Sequence, residues 1–168
     1  MIDTVIEWNL ASLIEQGGVH YNVPGTNPKE LIAAVIGLLP PTPAIDRGDL
    51  YREILEREAL VSTGIGRGIA LPHPRNPMLR EDGDPLVLSS PLVMIVFPVQ
   101  PIDWNAPDGN KVHTVFFIIS SSTKQHLNTL SRINFLCQQE KFYSLIKERA
   151  SKETIIATIQ EAEAIWKD

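Results

Sequence analysis

The sequence predicts an α/β protein with a single domain, in which helices flank a mixed β-sheet. The first observation is the apolar periodicity, which is helical near the start of the chain, extended in the middle and helical again towards the end. Helices before and after a run of strands suit a helix-covered mixed sheet better than a doubly wound repeat of βα units. The second observation is the length of 168 residues, which is comfortable for one domain and short for two.

The composition is that of an ordinary soluble globular protein, with 43% hydrophobic and 21% charged residues. The net charge of -5 argues against nucleic-acid binding, which usually requires an excess of lysine and arginine. The single cysteine, Cys137, excludes an internal disulfide, and its apolar helical surroundings predict a buried structural thiol. We recognise no signal peptide, and the longest apolar run, near Pro91–Val99, is too short for a membrane-spanning helix. We therefore expect a cytoplasmic protein without direct membrane insertion.

Turn and capping residues mark the first elements. A short amphipathic helix is expected to end at the glycine pair that begins with Gly17, and Val19–Val23 then has the pattern of a strand. In the next helix Asn27 is placed to cap and Pro28 suits the first helical position. Glu30 falls where the carboxylate of a capping box belongs.

The middle of the chain has extended patterns between helical ones. Apolar, partly β-branched runs bounded by Pro, Gly and Asp are typical of strands. We predict extended segments over Gly68–Leu71, Leu86–Ser89, Leu92–Phe97 and Val112–Ser120. We predict helices over Gly48–Ala59, Thr123–Gln138, Lys141–Arg149 and Lys152–Trp166. In the second of these helices Leu127, Leu130 and Ile133 are expected on the buried face.

The densest group of special residues is Ser62–Arg75. Its glycines occupy alternate positions, where they permit tight turns and bring backbone N–H groups near an anion: Gly64, Gly66 and Gly68. Ser62 and Thr63 add hydroxyl donors. A Gly-x-Gly-x-Gly pattern by itself is weak evidence, since it is often only a bend. No Gly-Lys-Ser/Thr follows, so the segment is not a Walker loop.

An extended segment then leads to His73, which lies between Pro72 and Pro74. The prolines fix the backbone on both sides of the imidazole. An immobilised imidazole near anion-binding groups suits a nucleophile that receives and releases a phosphoryl group. The residues alone also allow a second interpretation, in which His73 is an ordinary surface or core histidine.

At these residues the chain resembles the fructose–mannitol class of IIA domains of the bacterial sugar-phosphotransferase system, which includes the nitrogen-regulatory branch. Glu56–Leu60 followed by Ser62–His73 is similar to the signature of that family. Pro101–Gly109 resembles its "IDF-x-APDG" loop, and Gln125–Leu127 resembles its "EHL" start of a helix. The matches lie in the order expected for the family, which chance would seldom produce.

The resemblance implies a phosphotransferase/anion-transport-like IIA fold for residues 19–168. Residues 1–18 fall outside the family's usual pattern and are expected to be an N-terminal helix or a linker extension. The family usually has glycine or alanine after its histidine, whereas this chain has Pro74, which lacks a backbone N–H for the phosphoryl group. Arg75 is then either a compensating phosphate contact or a solvated loop cation.

The resemblance also implies roles for single residues. His73 matches the phosphorylated histidine, and His126 matches a second active-site histidine that contacts the phosphoryl group. Arg57 matches an arginine that approaches the phosphate, although a helix-end cation is nearly as good an interpretation. Ser62 and Thr63 match hydroxyl positions beside the phosphate.

Helix capping supports the assignment of His126 independently. Ser122 and Gln125 form a plausible capping box, which places His126 in the first turn of its helix. The positive end of the helix dipole there disfavours imidazolium and attracts phosphate. We therefore expect His126 to be a neutral hydrogen-bond donor, with a capped surface histidine as the alternative.

The other two histidines match no functional motif. His113 alternates in phase with Val115 and Phe117, so it is expected on the apolar face of its strand. His20 has no counterpart in the family. No pair of histidines has close metal-ligand spacing, so we predict no metal site and no cofactor.

Together these features predict a phosphohistidine carrier of the phosphoenolpyruvate-dependent phosphotransferase system. His73 would accept phosphate from a histidine-phosphorylated carrier protein and pass it to a IIB-type domain or a regulatory target protein. The free-standing domain, without a IIB-like cysteine motif, favours a regulatory output. The alternatives are a IIA component of fructose/mannitol-type sugar uptake that passes phosphate to a IIB domain, a non-catalytic regulatory binding module, and a purely structural domain in which Pro74 has ended transfer.

Overall fold

The structure is a computed structural model that describes residues 9–40, 46–75 and 91–166. Within these ranges the helices are α1 (Leu10–Gly17), α2 (Pro28–Gly37), α3 (Arg47–Leu60), α4 (Thr123–Gln138), α5 (Glu140–Lys147) and α6 (Lys152–Ile165). The strands are β1 (Val19–Val23), β2 (Gly64–Gly66), β3 (Ile69–Ala70), β4 (Leu92–Pro98) and β5 (Thr114–Ile119). The strand predicted over Leu86–Ser89 lies outside the described residues.

Side-chain caps start the helices where the sequence predicts them. The Asn27 side chain accepts from the backbone N–H of Glu30 at 2.9 Å, and Ser122 caps α4 in the same way at 3.1 Å. The carboxylate of Glu30 binds a different residue from the one that the capping box predicts. It accepts from the backbone N–H of Thr26 at 2.8 Å and from the hydroxyl of Thr26 at 2.9 Å, because Thr26 offers two donors to one carboxylate oxygen.

The described strands form one mixed sheet in the order β1-β4-β5-β3-β2, which confirms the predicted fold class. β4 and β5 are antiparallel, with Met94 opposite Phe117. β1 runs parallel to β4, β3 runs parallel to β5, and β2 folds back antiparallel on β3. Since β3 and β5 are parallel neighbours, their carboxyl ends lie at the same edge of the sheet. The chain leaves this edge towards His73 on one side and Ser120 on the other.

Helices cover both faces of the sheet, so every residue of β4 and β5 is buried. Alternate side chains of each strand therefore enter two separate cores. The core towards α2 and α3 includes Leu31, Ile54, Met94, Val96 and Phe117. The core towards α1, α4, α5 and α6 includes Leu10, Phe97, Phe116, Phe142 and Ile159.

Two orientations predicted from periodicity are wrong. His113 is half-buried and precedes β5 instead of lying on its apolar face, because its backbone N–H donates to Gly68 at 2.8 Å and the strand begins one residue later. Leu127 is 59% exposed, whereas Ile133 of the same helix is buried as expected. Strand β2 was not predicted, since a three-residue segment with two glycines has no alternating pattern.

The expected burial of the single cysteine is confirmed. Cys137 is buried, and burial raises the pKa of its thiol to about 12, as a structural cysteine requires. Within the described ranges, no helix has both the length and the apolar character needed to cross a bilayer.

The buried carboxylate of Glu163 joins three helices. It lies in α6, is 6% exposed, and accepts from the backbone N–H groups of Leu10 at 2.8 Å and Ala11 at 2.9 Å. Arg132 of α4 donates to the same carboxylate at 3.1 Å. The first N–H groups of a helix have no acceptor within that helix. In α1 these groups donate to a side chain that lies more than a hundred residues away in the sequence.

Replacing Glu163 with alanine should lower the free energy of unfolding by ~3 kcal/mol, because two buried N–H groups and a guanidinium lose their acceptor. Glu161→Ala is the matched control on the same helix, since Glu161 is 68% exposed and pairs with Lys141 at 3.3 Å. The control should lose less than about 0.5 kcal/mol. Urea unfolding measures both values, and equal losses would show that Glu163 does not hold α1 in place.

Candidate active site

The backbone around His73 is anchored on both sides. Before it, Leu71 donates its N–H to Thr63 at 3.0 Å, and the carbonyl of Pro72 accepts from Ile118 of β5 at 3.1 Å. After it, the N–H of Arg75 donates to the carbonyl of Glu53 in α3 at 3.3 Å. The extended path of β3 thus continues along β5 as far as the histidine. The imidazole is held at a fixed place beyond the edge of the sheet.

The ring of His73 has a defined hydrogen-bonding state. Its Nδ1 lies 2.7 Å from the carbonyl oxygen of Leu71. A carbonyl can only accept, so Nδ1 must carry the proton, and in the neutral ring the lone pair is on Nε2. Burial lowers the pKa of His73, and the charge of Arg57 acts in the same direction, while the bond to Leu71 and the charge of Glu58 oppose this shift. At neutral pH the ring is therefore a neutral imidazole with a free Nε2 lone pair.

His126 lies directly beside His73. The ring centroids are 4.5 Å apart, with an angle of 53° between the planes. His126 is in the first turn of α4, as predicted, and its Nδ1 lies 3.0 Å from the hydroxyl oxygen of Ser120. Burial, followed by the charges of His73 and Arg57, lowers the pKa of His126 to about 4. Two neutral imidazoles therefore face each other at neutral pH.

A cavity of about 380 Å³ opens at these two rings. Its lining consists of Arg57, His73, Pro74, Arg75, Ser120, Thr123, His126, Leu127 and Leu130. The structure thus brings together four of the residues predicted for the site, His73, His126, Arg57 and Arg75. Two arginines and two neutral imidazoles line one cavity, and the charge of Arg57 acts on both rings, which is a suitable environment for an anion.

Arg57 makes the helix-end contact and also lies at the histidine cavity, while its contact with phosphate stays a prediction. Its Nη1 donates to the carbonyl of Val61 at 2.7 Å, which is the contact expected of a cation at the end of α3. The same side chain lines the cavity and lowers the pKa of both histidines. The helix-end contact therefore fixes the guanidinium beside the imidazoles.

The two hydroxyls predicted to meet the phosphate have other partners. Ser62 donates to the carbonyl of Trp104 at 2.6 Å, and its oxygen accepts from the N–H of Gly64 at 3.0 Å. Thr63 donates its hydroxyl and its N–H to the carboxylate of Glu58, which also accepts from the indole of Trp104 at 3.2 Å. Among the described residues, neither Ser62 nor Thr63 belongs to the lining of the histidine cavity. Direct phosphate contact by these hydroxyls stays a prediction.

The glycines of the same segment have close neighbours. Gly66 and Gly68 have φ of 92° and 80°, in the left-handed region that favours glycine. A Cβ on Gly68 would lie 2.3 Å from the ring of His113, and one on Gly64 would lie 2.9 Å from Ala106. These contacts explain why glycine is needed at these places. Anion binding by their N–H groups stays a prediction.

Ser120 is the site residue that sequence reasoning missed. It follows the last residue of β5, is 5% exposed and lines the cavity. A polar residue at the end of an apolar strand, shortly before the helix cap Ser122, is the signal that would have found it. His20 and His113 bond instead to the carbonyls of Gly17 and Arg67. The described residues contain no group of three acidic, histidine or cysteine side chains that could hold a metal ion.

Comparison with known proteins assigns the chain to a family. The sequence model of "Phosphoenolpyruvate-dependent sugar phosphotransferase system, EIIA 2" matches residues 12–162. The nitrogen regulatory protein of Pseudomonas aeruginosa is 30% identical over 127 residues, which are 74% of this chain and 77% of that protein. The mannitol-specific phosphotransferase enzyme IIA component of Bacillus subtilis is 31% identical over 121 residues, covering 70% of this chain and 78% of that protein.

A longer protein is also similar. The fructose-specific EIIABC component of Bacillus subtilis is 26% identical over 155 residues, which are 90% of this chain but 23% of that protein. This chain therefore spans about a quarter of the length of that relative.

Solved structures show the same fold. The nitrogen regulatory protein IIA-Ntr of Neisseria meningitidis superposes with a TM-score of 0.71 at 23% identity, covering 86% of this chain and 94% of that one. IIA mannitol from Escherichia coli superposes with a TM-score of 0.66 at 15% identity, covering 85% of this chain and 96% of that one. The fold predicted from the sequence resemblance is thus confirmed, and the chain belongs to the EIIA type 2 family of the phosphoenolpyruvate-dependent sugar phosphotransferase system.

Proposed function

We propose that the protein is a phosphohistidine carrier that accepts a phosphoryl group on Nε2 of His73 from a histidine-phosphorylated carrier protein. The observation that carries this proposal is the bond between Nδ1 of His73 and the carbonyl of Leu71. It leaves Nε2 as the nucleophilic nitrogen, in a cavity that also holds Arg57, Arg75 and His126. The membership of the chain in a family of phosphotransfer proteins supports the same function.

The transfer needs no metal or nucleotide, because the donor already carries a reactive phosphorus–nitrogen bond. The lone pair of His73 Nε2 attacks phosphorus, and the bond from phosphorus to the donor's ring breaks. The donor ring, protonated at its other nitrogen, leaves as a neutral imidazole. His73 keeps its Nδ1 proton and takes up the positive charge, which the carbonyl dipole of Leu71 stabilises. In this proposal Arg57 and His126, which line the same cavity, hold the phosphoryl oxygens.

For the acceptor we propose a regulatory target protein, with the carrier working in the cytoplasm. The similarity to proteins named nitrogen regulatory protein supports this output. A IIB-type domain is the second candidate, and two observations favour it. One relative is a fructose-specific EIIABC component, and one structure with the same fold is titled as a complex of enzyme IIA mannitol with phosphorylated enzyme IIB mannitol.

The rim of the cavity suits the docking of a protein. Leu127 is 59% exposed although it lines the cavity, and Val61, which bonds to Arg57, is 69% exposed. Leu60 beside it is 60% exposed. Exposed apolar side chains around a reactive group allow a partner to exclude water during transfer. We propose that this rim, defined as Leu60, Val61 and Leu127, contacts both the donor and the acceptor.

His73→Ala should abolish phosphorylation, because Nε2 is the nitrogen that attacks. The protein is incubated with phosphoenolpyruvate, enzyme I and a histidine-phosphorylatable carrier protein, and its intact mass and acid-labile phosphate are measured. His20→Ala is the matched control, since its ring bonds to Gly17 away from the cavity lining, and it should gain one phosphoryl group. Labelling that persists in His73→Ala would show that another residue is the acceptor.

Absence of labelling in the wild-type protein with several carrier proteins would contradict the proposed transfer. The non-catalytic binding module would then be the better account. Pro74→Gly tests that outcome directly, because it restores a backbone N–H beside His73. Labelling gained by this variant would show that Pro74 had ended transfer.

The lowered pKa of His73 predicts how the rate of phosphoryl acceptance depends on pH. Burial and the charge of Arg57 disfavour the imidazolium, so the nucleophilic ring persists below pH 6.5, the ordinary value for histidine. The rate of phosphoryl acceptance should fall as the ring is protonated, with the midpoint of the fall below pH 6.5. NMR titration of the His73 ring gives its midpoint directly. A midpoint at or above 6.5 would contradict the assigned environment, and Arg57→Gln should move the midpoint upwards.

Leu127→Ser should weaken binding of the carrier protein about fivefold, because it removes exposed apolar area from the docking rim. Ile165→Ser is the control, since Ile165 is 76% exposed and lies on α6. The measurement is the dissociation constant for the unphosphorylated carrier protein by titration calorimetry. Equal effects of the two substitutions would place the docking surface elsewhere.

A further inference from the structure

We infer that Ser120 is a positioning residue for His126. Its hydroxyl donates to Nδ1 of His126 and so holds this ring as the tautomer that carries its proton on Nε2. The inference deepens the proposed function and rests on it for its purpose, because the Nε2–H is the group that would bind the phosphoryl oxygens on His73.

Both partners of this hydrogen bond are fixed by the fold. Ser120 directly follows β5, which is hydrogen-bonded on both sides by β4 and β3, and it is 5% exposed. His126 is in the first turn of α4, and its backbone N–H donates to Ser122 at 3.0 Å. The Oγ–Nδ1 distance of 3.0 Å therefore joins two rigid elements at the edge of the sheet. Neither side chain has to leave its place to form the bond.

The number of hydrogen-bond partners of Ser120 indicates whether its hydroxyl donates to Nδ1 of His126 or accepts from it. A hydroxyl can donate to Nδ1 or accept from it, so distance alone leaves both tautomers open. Among the described residues, the Ser120 hydroxyl has no second hydrogen-bond partner. If it accepted from Nδ1, its own proton would have no acceptor among those residues, which costs more than an unused oxygen lone pair. The bond is therefore satisfied when Ser120 donates and Nδ1 accepts.

The neighbouring histidine is compatible with the same tautomer. Nε2 of His73 carries a lone pair, because its Nδ1 proton is bound to Leu71. The two rings lie 4.5 Å apart between centroids and line the same cavity. An Nε2–H on His126 adds a hydrogen-bond donor to this cavity, whereas a second lone pair would add a like partial charge. The same N–H is a suitable donor to a phosphoryl group once His73 is phosphorylated.

The hydrogen bond from Ser120 agrees with a neutral His126. Burial, followed by the charges of His73 and Arg57, lowers the pKa of His126 to about 4, so the ring keeps one unprotonated nitrogen at neutral pH. Nδ1 is the nitrogen that lies within hydrogen-bond distance of the hydroxyl. A neutral donor binds the phosphoryl group without competing with His73 for it. Ser120 thus sets the direction of the second imidazole, and burial keeps that imidazole neutral.

Nitrogen-15 NMR of the imidazole rings tests the inference on the unphosphorylated protein. Wild-type His126 should show a protonated Nε2 and an unprotonated Nδ1 at pH 7, and Ser120→Ala should show a mixture of the two tautomers. Ser121→Ala is the matched control at the next position and should keep the wild-type spectrum. Ser120→Thr keeps the hydroxyl and should restore the single tautomer. A wild-type ring protonated on Nδ1, or a Ser120→Ala spectrum identical to wild type, would overturn the inference.

The rate of His73 phosphorylation is the second measurement. Ser120→Ala should lower this rate about tenfold, as expected for a misdirected hydrogen bond in the transition state, while the final stoichiometry stays at one phosphoryl group. An unchanged rate would overturn the positioning role. Since the tautomer is measured without a donor protein, failure of wild-type phosphorylation would refute the proposed function separately from the state of the Ser120 hydrogen bond.

Discussion

The proposed chemistry of the site depends on one hydrogen bond, from Nδ1 of His73 to the carbonyl oxygen of Leu71 at 2.7 Å. It decides which ring nitrogen carries the lone pair, and it stabilises the positive charge that the ring would acquire on phosphorylation. Both groups belong to one three-residue segment, so the bond needs no contact with a distant part of the chain. Pro72 within the segment and Pro74 directly after it restrict the path of the backbone, and both prolines are buried.

The rest of the fold holds this segment in place and brings the other groups to it. The pairing of β3 with β5 continues through Pro72, so the histidine segment and Ser120 leave the sheet at the same edge. On the other side, Glu58 joins Thr63 to Trp104 and so stabilises the segment that precedes β2. Gly68, in the turn between β2 and β3, is used for close packing, since a Cβ there would lie 2.3 Å from the ring of His113.

Local rules in the sequence predict much of this structure. Asn27 and Ser122 cap the helices they were expected to cap, and the resemblance located the two histidines that the fold brings together. Side-chain directions that depend on tertiary pairing were not predictable in this way. Periodicity placed Leu127 in the core because it cannot show that α4 leaves a cavity there. The bond from Ser120 to His126 depends on where β5 ends relative to α4, which no local pattern contains.

The most direct test of the central claim is the position of the phosphoryl group on the ring of His73. Phosphorus and nitrogen NMR of the phosphorylated protein distinguish the two ring nitrogens by their coupling to phosphorus. The account predicts phosphorylation on Nε2, with the Nδ1 proton still bound to the carbonyl of Leu71. A phosphoryl group on Nδ1 would contradict it, because that nitrogen would first have to give up the hydrogen bond on which the described site depends.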